Sequence, residues 1–335
     1  MAKILIVDDE HMEKMKPKFE DKGHEVIGFD NKKEAINIIQ KTVPFDVAII
    51  DMNLGDLDKE GGLEIANEVR ERSSLTEIII ITAYADYKNI YKTMEVRLWG
   101  YIDRNLDHNL NLEVDKALKY VEVQKGVFES LKVAIDSNDP YTHGHSKRVA
   151  EYTELIAIEW NKINKTNGKK VKVEDVKMAA GMHDIGKIGI NTFVLNKPTK
   201  LTNAEMAMIR IHPVEAERIL KEIPGFREAE WIEPIRQHHE KWDAEGGYPD
   251  AIKKDKIHIN ARIIAIADSF DAITSDRPYS RNKIDNAKKE GKDLIDFTID
   301  EIKSCSGRQY DPNAVNAFLN IPKEDLRKIM EEKDR

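Results

Sequence analysis

Cysteine is almost absent. Cys305 is the only one in 335 residues, so no disulfide can form within the chain, which fits a reducing compartment. A basic excess is also missing. Lys and Arg number 53 against 61 Asp and Glu, for a formal net charge of −8. A general nucleic-acid binder normally carries a basic face, so nucleic acid is not an expected partner. A phosphate-bearing small molecule still fits, provided metal ions and a few local cations hold it. Long apolar runs are lacking too. A stretch such as 78–81 is far shorter than the roughly 20 residues a membrane helix needs. Met1, Ala2 and Lys3 lead straight into an apolar strand, with no signal-peptide core. The expectation is a cytoplasmic protein with no membrane partner, long enough for two domains with separate cores.

What is present first is an alternation of short apolar runs and amphipathic segments. Candidate strands are 4–7, 25–29, 47–50, 78–81 and 101–102. Candidate helices are 12–21, 32–40, 63–71 and 87–94. Near-continuous apolar strands between helices read as a parallel α/β sheet, whose ligands sit at the carboxyl ends of the strands. Asp8 and Asp9 follow the first strand, Asp51 ends the third and Thr82 ends the fourth. Carboxylates gathered at one edge repel one another, and a hard cation such as Mg2+ relieves this with oxygen ligands. Pro17, inside the first helix, predicts a kink.

These residues, with Tyr101, stand at the spacing of a response-regulator receiver domain, and residues 1–120 resemble that family throughout. The resemblance implies a flavodoxin-like fold with a five-stranded parallel sheet. It also implies Asp51 as phosphoacceptor, Asp8, Asp9 and Asp51 around Mg2+, Thr82 at the phosphoryl group and Tyr101 as the switch aromatic. A cognate sensor histidine kinase would be the phosphate source. Two departures stand out. Arg104, followed by Asn105, replaces the family's Lys-Pro, and a planar guanidinium fork is not equivalent to an ammonium. The loop 52–62 is long and acidic and lacks the usual Pro.

Residues 110–136 read as one long helix with a period near 3.5 to 3.6, interrupted only by Gly126. Two readings stay open for this connector. It is either the last receiver helix running on to the first helix of the next domain, or a signalling helix that pairs with its copy in a homodimer. From about residue 125 to 335 helices dominate. Residues 146–163 are amphipathic, Thr202 and Glu205 form a capping box, and 259–274 is a largely apolar helix carrying Asp268 and Asp271. An all-α domain is expected.

Within it, His183 and Asp184 are adjacent in an apolar segment. Neighbouring helical residues point about 100° apart, so both reach one ion only at a helix end or irregular turn, which Gly186 is expected to supply. A buried, unpaired Asp is costly and calls for a metal or a strong donor. Further candidate ligands are His145, His212, His238, His239 and Asp268. Imidazole mixed with carboxylate suits Fe, Mn, Zn or Ni rather than Ca or Mg. The set exceeds one tetrahedral site, so two ions sharing a carboxylate is the economical reading.

The order His145, His183-Asp184, Lys187, His212, His238-His239, Gly247-Tyr248-Pro249, Asp268, Arg277-Pro278-Tyr279 is similar to the HD-GYP family across residues 135–320. The resemblance implies an HD-superfamily helical domain with a multinuclear centre of divalent transition metals, Fe or Mn before Zn or Ni. The implied activity is hydrolysis of cyclic di-GMP, controlled through Asp51. Asp184 would bridge two ions, with His183, Asp268 and His145 on one side and His212, His238 and His239 on the other. Lys187 would offset charge on the phosphoryl oxygens, and Lys187, Arg277, Gly247 and Tyr248 would meet substrate. A non-catalytic adaptor for partners such as diguanylate cyclase domains is the alternative, as is a phosphodiesterase for another cyclic dinucleotide. The chain departs from the family after Glu240, where Asp243 to Pro249 is one residue longer and lacks a first Gly. Some family members hold a third ion on an acidic residue four positions before the first His. Here that position is Tyr141, whose neutral phenol is a poor ligand, so two ions are expected.

Overall fold

The computed structural model describes residues 1–41, 45–55, 60–82, 96–103, 107–138, 144–164, 170–197, 199–223, 226, 229–275, 285, 287, 289 and 291–331. The expected helix 87–94, Arg104, Tyr141 and Arg277 lie outside these residues. The chain divides into two compact units, Met1–Phe128 and Glu129–Arg335.

The first unit holds strands β1 (Lys3–Val7), β2 (Glu25–Phe29), β3 (Val47–Asp51), β4 (Glu77–Thr82) and β5 (Gly100–Asp103). Helices α1 (Met12–Glu20), α2 (Lys32–Ile39) and α3 (Gly61–Arg72) lie between them in sequence. All neighbouring strands pair in parallel, in the order β2-β1-β3-β4-β5. This is the flavodoxin-like order, which places a ligand crevice at the carboxyl ends of β1 and β3. Strand residues alternate between two cores. Leu5, Val7, Ala48, Ile50, Ile78 and Ile80 face one; Ile4, Ile6, Val47, Ile49, Ile79 and Ile81 face the other. Burial on both faces is why these strands read as continuous apolar runs rather than alternating ones.

Pro17 does not end α1, which continues to Glu20. The Pro17 carbonyl still accepts from the Asp21 amide at 2.9 Å. Pro17 is the sixth residue of α1, so the bond its missing N–H would give to the Glu13 carbonyl is forgone while the rest of the helix continues. Gly62 opens α3 against the end of β3. A Cβ built there would lie 2.1 Å from the Asp51 carbonyl oxygen, so no other residue fits without moving the strand end that carries Asp51.

Helix α4 (Asp107–Asn138) is a single helix of 32 residues, passing through Gly126 without a break. The second unit contains α5 (His145–Ile163), α6 (Val173–Met182), a short 3-10 turn (Ile185–Gly189), α7 (Thr192–Leu195), α8 (Asn203–Arg210), α9 (His212–Lys221) and α10 (Ile232–Gln237). It continues with a second 3-10 turn (Lys254–Lys256), α11 (Ile259–Thr274), α12 (Leu294–Ser304), α13 (Pro312–Leu319) and α14 (Lys323–Glu331). Helix α5 packs against α6, α11 and α13, and buries Val149, Tyr152, Ile156 and Trp160. Caps follow the sequence. Thr202 and Glu205 form the reciprocal capping box of α8. Asp293, His258 and Asp311 cap α12, α11 and α13 through side-chain acceptors. Among the described residues this unit has no strand, only an isolated bridge between Ser306 and Tyr310.

Candidate metal centre

The candidate ligands of the second unit gather where helices end. His145 is the first residue of α5 and His212 the first of α9, while His183 and His238 immediately follow α6 and α10. His239 comes next in the chain, Asp184 precedes the 3-10 turn, and Asp268 alone lies within a helix, α11. His145, His183, Asp184, His212 and His238 are each at most 2% exposed.

Helix ends suit this purpose because the last carbonyls of a helix lack intrahelical donors. Three imidazoles use them. His183 Nδ1 meets the Ala180 carbonyl at 2.7 Å, His212 Nδ1 the Ile209 carbonyl at 2.8 Å, and His238 Nδ1 the Ile235 carbonyl at 2.6 Å. A carbonyl only accepts, so each Nδ1 carries the proton and donates. In a neutral ring Nε2 is then a bare lone pair. These Nε2 atoms converge: His212 Nε2 faces His238 Nε2 at 3.4 Å. His183 Nε2 is buried with no hydrogen-bond partner, although Asp184 Oδ2 is only 3.4 Å away. Lone pairs facing one another in a dry pocket repel unless a cation lies between them.

Asp184 presents its two oxygens to different neighbours. Oδ2 lies 2.6 Å from Lys187 Nζ, 3.4 Å from His183 Nε2 and 3.7 Å from His145 Nε2; Oδ1 lies 3.4 Å from His212 Nε2. Asp268 Oδ1 sits 3.2 Å from His145 Nε2 and 3.8 Å from His183 Nε2. Donor atoms within 4.8 Å of one another form the sets His145, His183, Asp268 and His212, His238, His239, with His183, Asp184 and His238 spanning the two. The donor set therefore fits two transition-metal ions: imidazoles turned inward and carboxylates held ionised, gathered within reach of one another.

Gly186 lies in the 3-10 turn Ile185–Gly189 that follows His183 and Asp184, the irregular turn expected there, and it has no positive φ. Its role is close approach. A Cβ there would stand 1.9 Å from the His212 carbonyl oxygen and 2.6 Å from the Ala216 amide nitrogen. The bare backbone lets the 3-10 turn carrying Lys187 lie against α9, and so brings Asp184 to His212. Gly247 is similar: a Cβ would meet the Lys241 amide nitrogen at 2.7 Å and Glu240 Oε2 at 3.0 Å. This tight loop stacks Tyr248 on His239, with centroids 4.7 Å apart and planes 28° from parallel.

Electrostatics agree with neutral imidazoles. Burial, reinforced by His239 and Lys187 against the pull of Asp184, pushes His212 down to about 3. Burial likewise takes His239 to about 4 and His238 well below its ordinary value. For Asp184, burial favours the neutral acid, but Lys187 and the surrounding imidazoles outweigh it and hold the carboxyl well below its ordinary range.

Asp271 was not singled out from sequence as part of the site. It lies one helical turn beyond Asp268 and receives His145 Nδ1 at 2.7 Å and Arg148 Nε at 2.5 Å. Its spacing from Asp268 was the only signal available.

In the first unit, Asp8, Asp9 and Asp51 bring carboxylate oxygens within 4.8 Å of one another, and Asp8, Asp51 and Thr82 are buried. Asp8 Oδ1 accepts from the Glu10 and His11 amides at 3.0 and 2.6 Å, and Asp9 Oδ2 accepts from the Gly55 amide at 2.8 Å. Tyr101 is half-buried on β5.

Comparison with known proteins gives two family matches. Residues 129–299 match the HD domain, and residues 4–113 match the response regulator receiver domain. A cyclic di-GMP phosphodiesterase of Thermotoga maritima is 29% identical, covering 99% of this chain and 93% of that protein. A 3′3′-cGAMP-specific phosphodiesterase of Vibrio cholerae is 38% identical over 43% of this chain and 30% of its own length. The cyclic di-GMP phosphodiesterase response regulator RpfG of Xanthomonas campestris is 33% identical over 59% of this chain and 48% of its own. The chain thus spans nearly all of the Thermotoga protein but less than half of the other two.

The depressed imidazoles predict how stability depends on pH once metal is chelated away. Below about pH 6.5 the unfolded histidines bind protons that the folded His212 and His239 do not, so stability present at neutral pH is lost as pH falls toward about 4. Each such imidazole contributes up to ~1.4 kcal/mol per pH unit. Urea unfolding of chelated protein at pH 7, 6 and 5 should show the second unit weakening at each step; a flat profile would mean that these rings are not buried neutral.

Proposed function

We propose, for a chain that belongs to the HD domain family and carries a response regulator receiver domain ahead of it, hydrolysis of a cyclic dinucleotide, cyclic di-GMP foremost, under control of Asp51 phosphorylation. The observation that carries this reading is Asp184, a buried carboxylate whose two oxygens face separate sets of inward-turned imidazoles. Two divalent ions held by His145, His183, Asp184 and Asp268, and by Asp184, His212, His238 and His239, would supply Lewis-acid stabilisation of a phosphoryl group and a water that ionises near neutral pH.

The chain's own residues do the rest. Lys187 is within 2.6 Å of Asp184 and partly exposed, so its ammonium reaches from the bridging carboxylate toward the phosphoryl oxygens of a bound diester. Tyr248, braced on His239 by the Gly247 turn and with the Arg210 guanidinium over its ring at 5.2 Å, fixes one wall of the site. Arg277 remains assigned to a bidentate phosphate contact on sequence alone. The complete ligand set supports catalysis over a purely adaptor role, because an adaptor has no need to keep such costly buried groups.

A mixed cyclic dinucleotide is the second reading, favoured by the identity shared with the Vibrio cholerae enzyme named for 3′3′-cGAMP. The same assay separates the two: full-length protein loaded with Mn2+ or Fe2+, incubated with a panel of cyclic dinucleotides, with products resolved by chromatography. Cyclic di-GMP is expected to turn over fastest. Asp184→Ala should reduce hydrolysis to background and release both ions while the fold survives. Near wild-type turnover and metal content in that variant would refute the assignment of the centre.

In the first unit, the Asp8, Asp9 and Asp51 cluster supports a Mg2+-dependent phosphoacceptor served by a sensor histidine kinase. A small phosphodonor should label the protein at Asp51 when Mg2+ is present, and Asp51→Ala should abolish the label. A folded receiver that takes no label would instead act by packing alone.

A further inference from the structure

His145 differs from the other inward-facing histidines in how it is held. His183, His212 and His238 each lean on the carbonyl three residues earlier. His145 opens its helix, directly after the left-handed Gly144, and the residue three positions before it lies outside the described residues. Its Nδ1 is met instead by a carboxylate 126 residues away, Asp271 Oδ2, at 2.7 Å. Asp271 is 1% exposed.

Helix α11 therefore brackets this imidazole. Asp268 Oδ1 lies 3.2 Å from Nε2 and Asp271 Oδ2 lies 2.7 Å from Nδ1, from carboxylates three positions apart on one helix face. Asp271 is itself clamped. Arg148, one turn along α5 from His145, donates Nε to Oδ1 at 2.5 Å and Nη2 to Oδ2 at 3.0 Å. The Ser275 hydroxyl adds a bond to Oδ2 at 3.1 Å. Every one of these donors needs an acceptor, so Asp271 must be ionised, and the proton between it and His145 must sit on Nδ1.

The geometry points to Asp271 as the positioning residue of His145, with Arg148 holding Asp271 in turn. Asp271 fixes the Nδ1–H tautomer, aims the Nε2 lone pair at the space shared with Asp268 and Asp184, and makes that imidazole more electron-rich than its carbonyl-backed neighbours. Asn in its place cannot do the same. Wherever its NH2 group sits, it faces Arg148 Nε or the side shared by His145 Nδ1 and Arg148 Nη2, so donor meets donor.

This role rests on reading the cluster as a metal centre, but one arm of its test does not. Full-length protein labelled with 15N-histidine and freed of metal would give the His145 tautomer by long-range 1H–15N correlation, with His145→Ala identifying the signal. Wild type is expected to carry the proton on Nδ1, and Asp271→Asn to shift it toward Nε2. In calorimetric titration with Mn2+, Asp271→Asn should weaken one of the two bound ions by about 10–100-fold. In a His145→Ala background the same change should cost nothing further. A wild-type His145 with a bare Nδ1, protonated on Nε2 alone, would overturn the proposal, and so would an equal loss of Mn2+ affinity with and without His145. The wild-type tautomer decides the matter even where Asp271→Asn does not fold. Wild type that binds no Mn2+ yet shows the Nδ1–H tautomer would refute the metal centre and leave the positioning role standing.

Discussion

Two imidazole lone pairs, His212 Nε2 and His238 Nε2, are held 3.4 Å apart on rings that are each 1% exposed. The arrangement is unfavourable in itself, and the helical domain imposes it through backbone carbonyls that can only accept. The last turns of α8 and α10 face the pocket, so their unsatisfied carbonyls take the Nδ1 protons and turn Nε2 inward. Asp184, its charge stabilised by Lys187 at 2.6 Å, lies against this surface with one oxygen to each side. A site that is costly without a cation and complementary with one is the physical core of the account.

Much of this was legible in the chain, for identifiable reasons. Strands buried on both faces announce themselves as apolar runs, so the sheet and the edge holding Asp8, Asp9 and Asp51 could be placed from sequence. The histidine order carried the ligand set because the residue types themselves are the chemistry. Contacts between distant segments were not legible. Gly186 was legible as a turn residue, but not that the His212 carbonyl approaches where a Cβ would stand at 1.9 Å. Asp271 looked like a second polar residue in an apolar helix, because its partners His145 and Arg148 lie on α5, more than 120 residues earlier. Pro17 costs α1 one backbone bond, yet the helix runs on to Glu20.

The two units use their metals differently. In the receiver, carboxylates at strand ends form an all-oxygen cluster suited to Mg2+, and Gly62 packs the start of α3 onto the Asp51 carbonyl. In the helical domain, imidazole nitrogens outnumber the carboxylates of Asp184 and Asp268. One chain thereby carries two clusters of different donor chemistry.

Anomalous diffraction from crystals loaded with Mn2+ or Fe2+ tests the central claim most directly. The account predicts two peaks about 3.5–4 Å apart, one contacted by His145, His183 and Asp268, the other by His212, His238 and His239, with one oxygen of Asp184 on each. A single peak, a third well-occupied peak beside Tyr141, or a pair that leaves Asp184 uncontacted would contradict it.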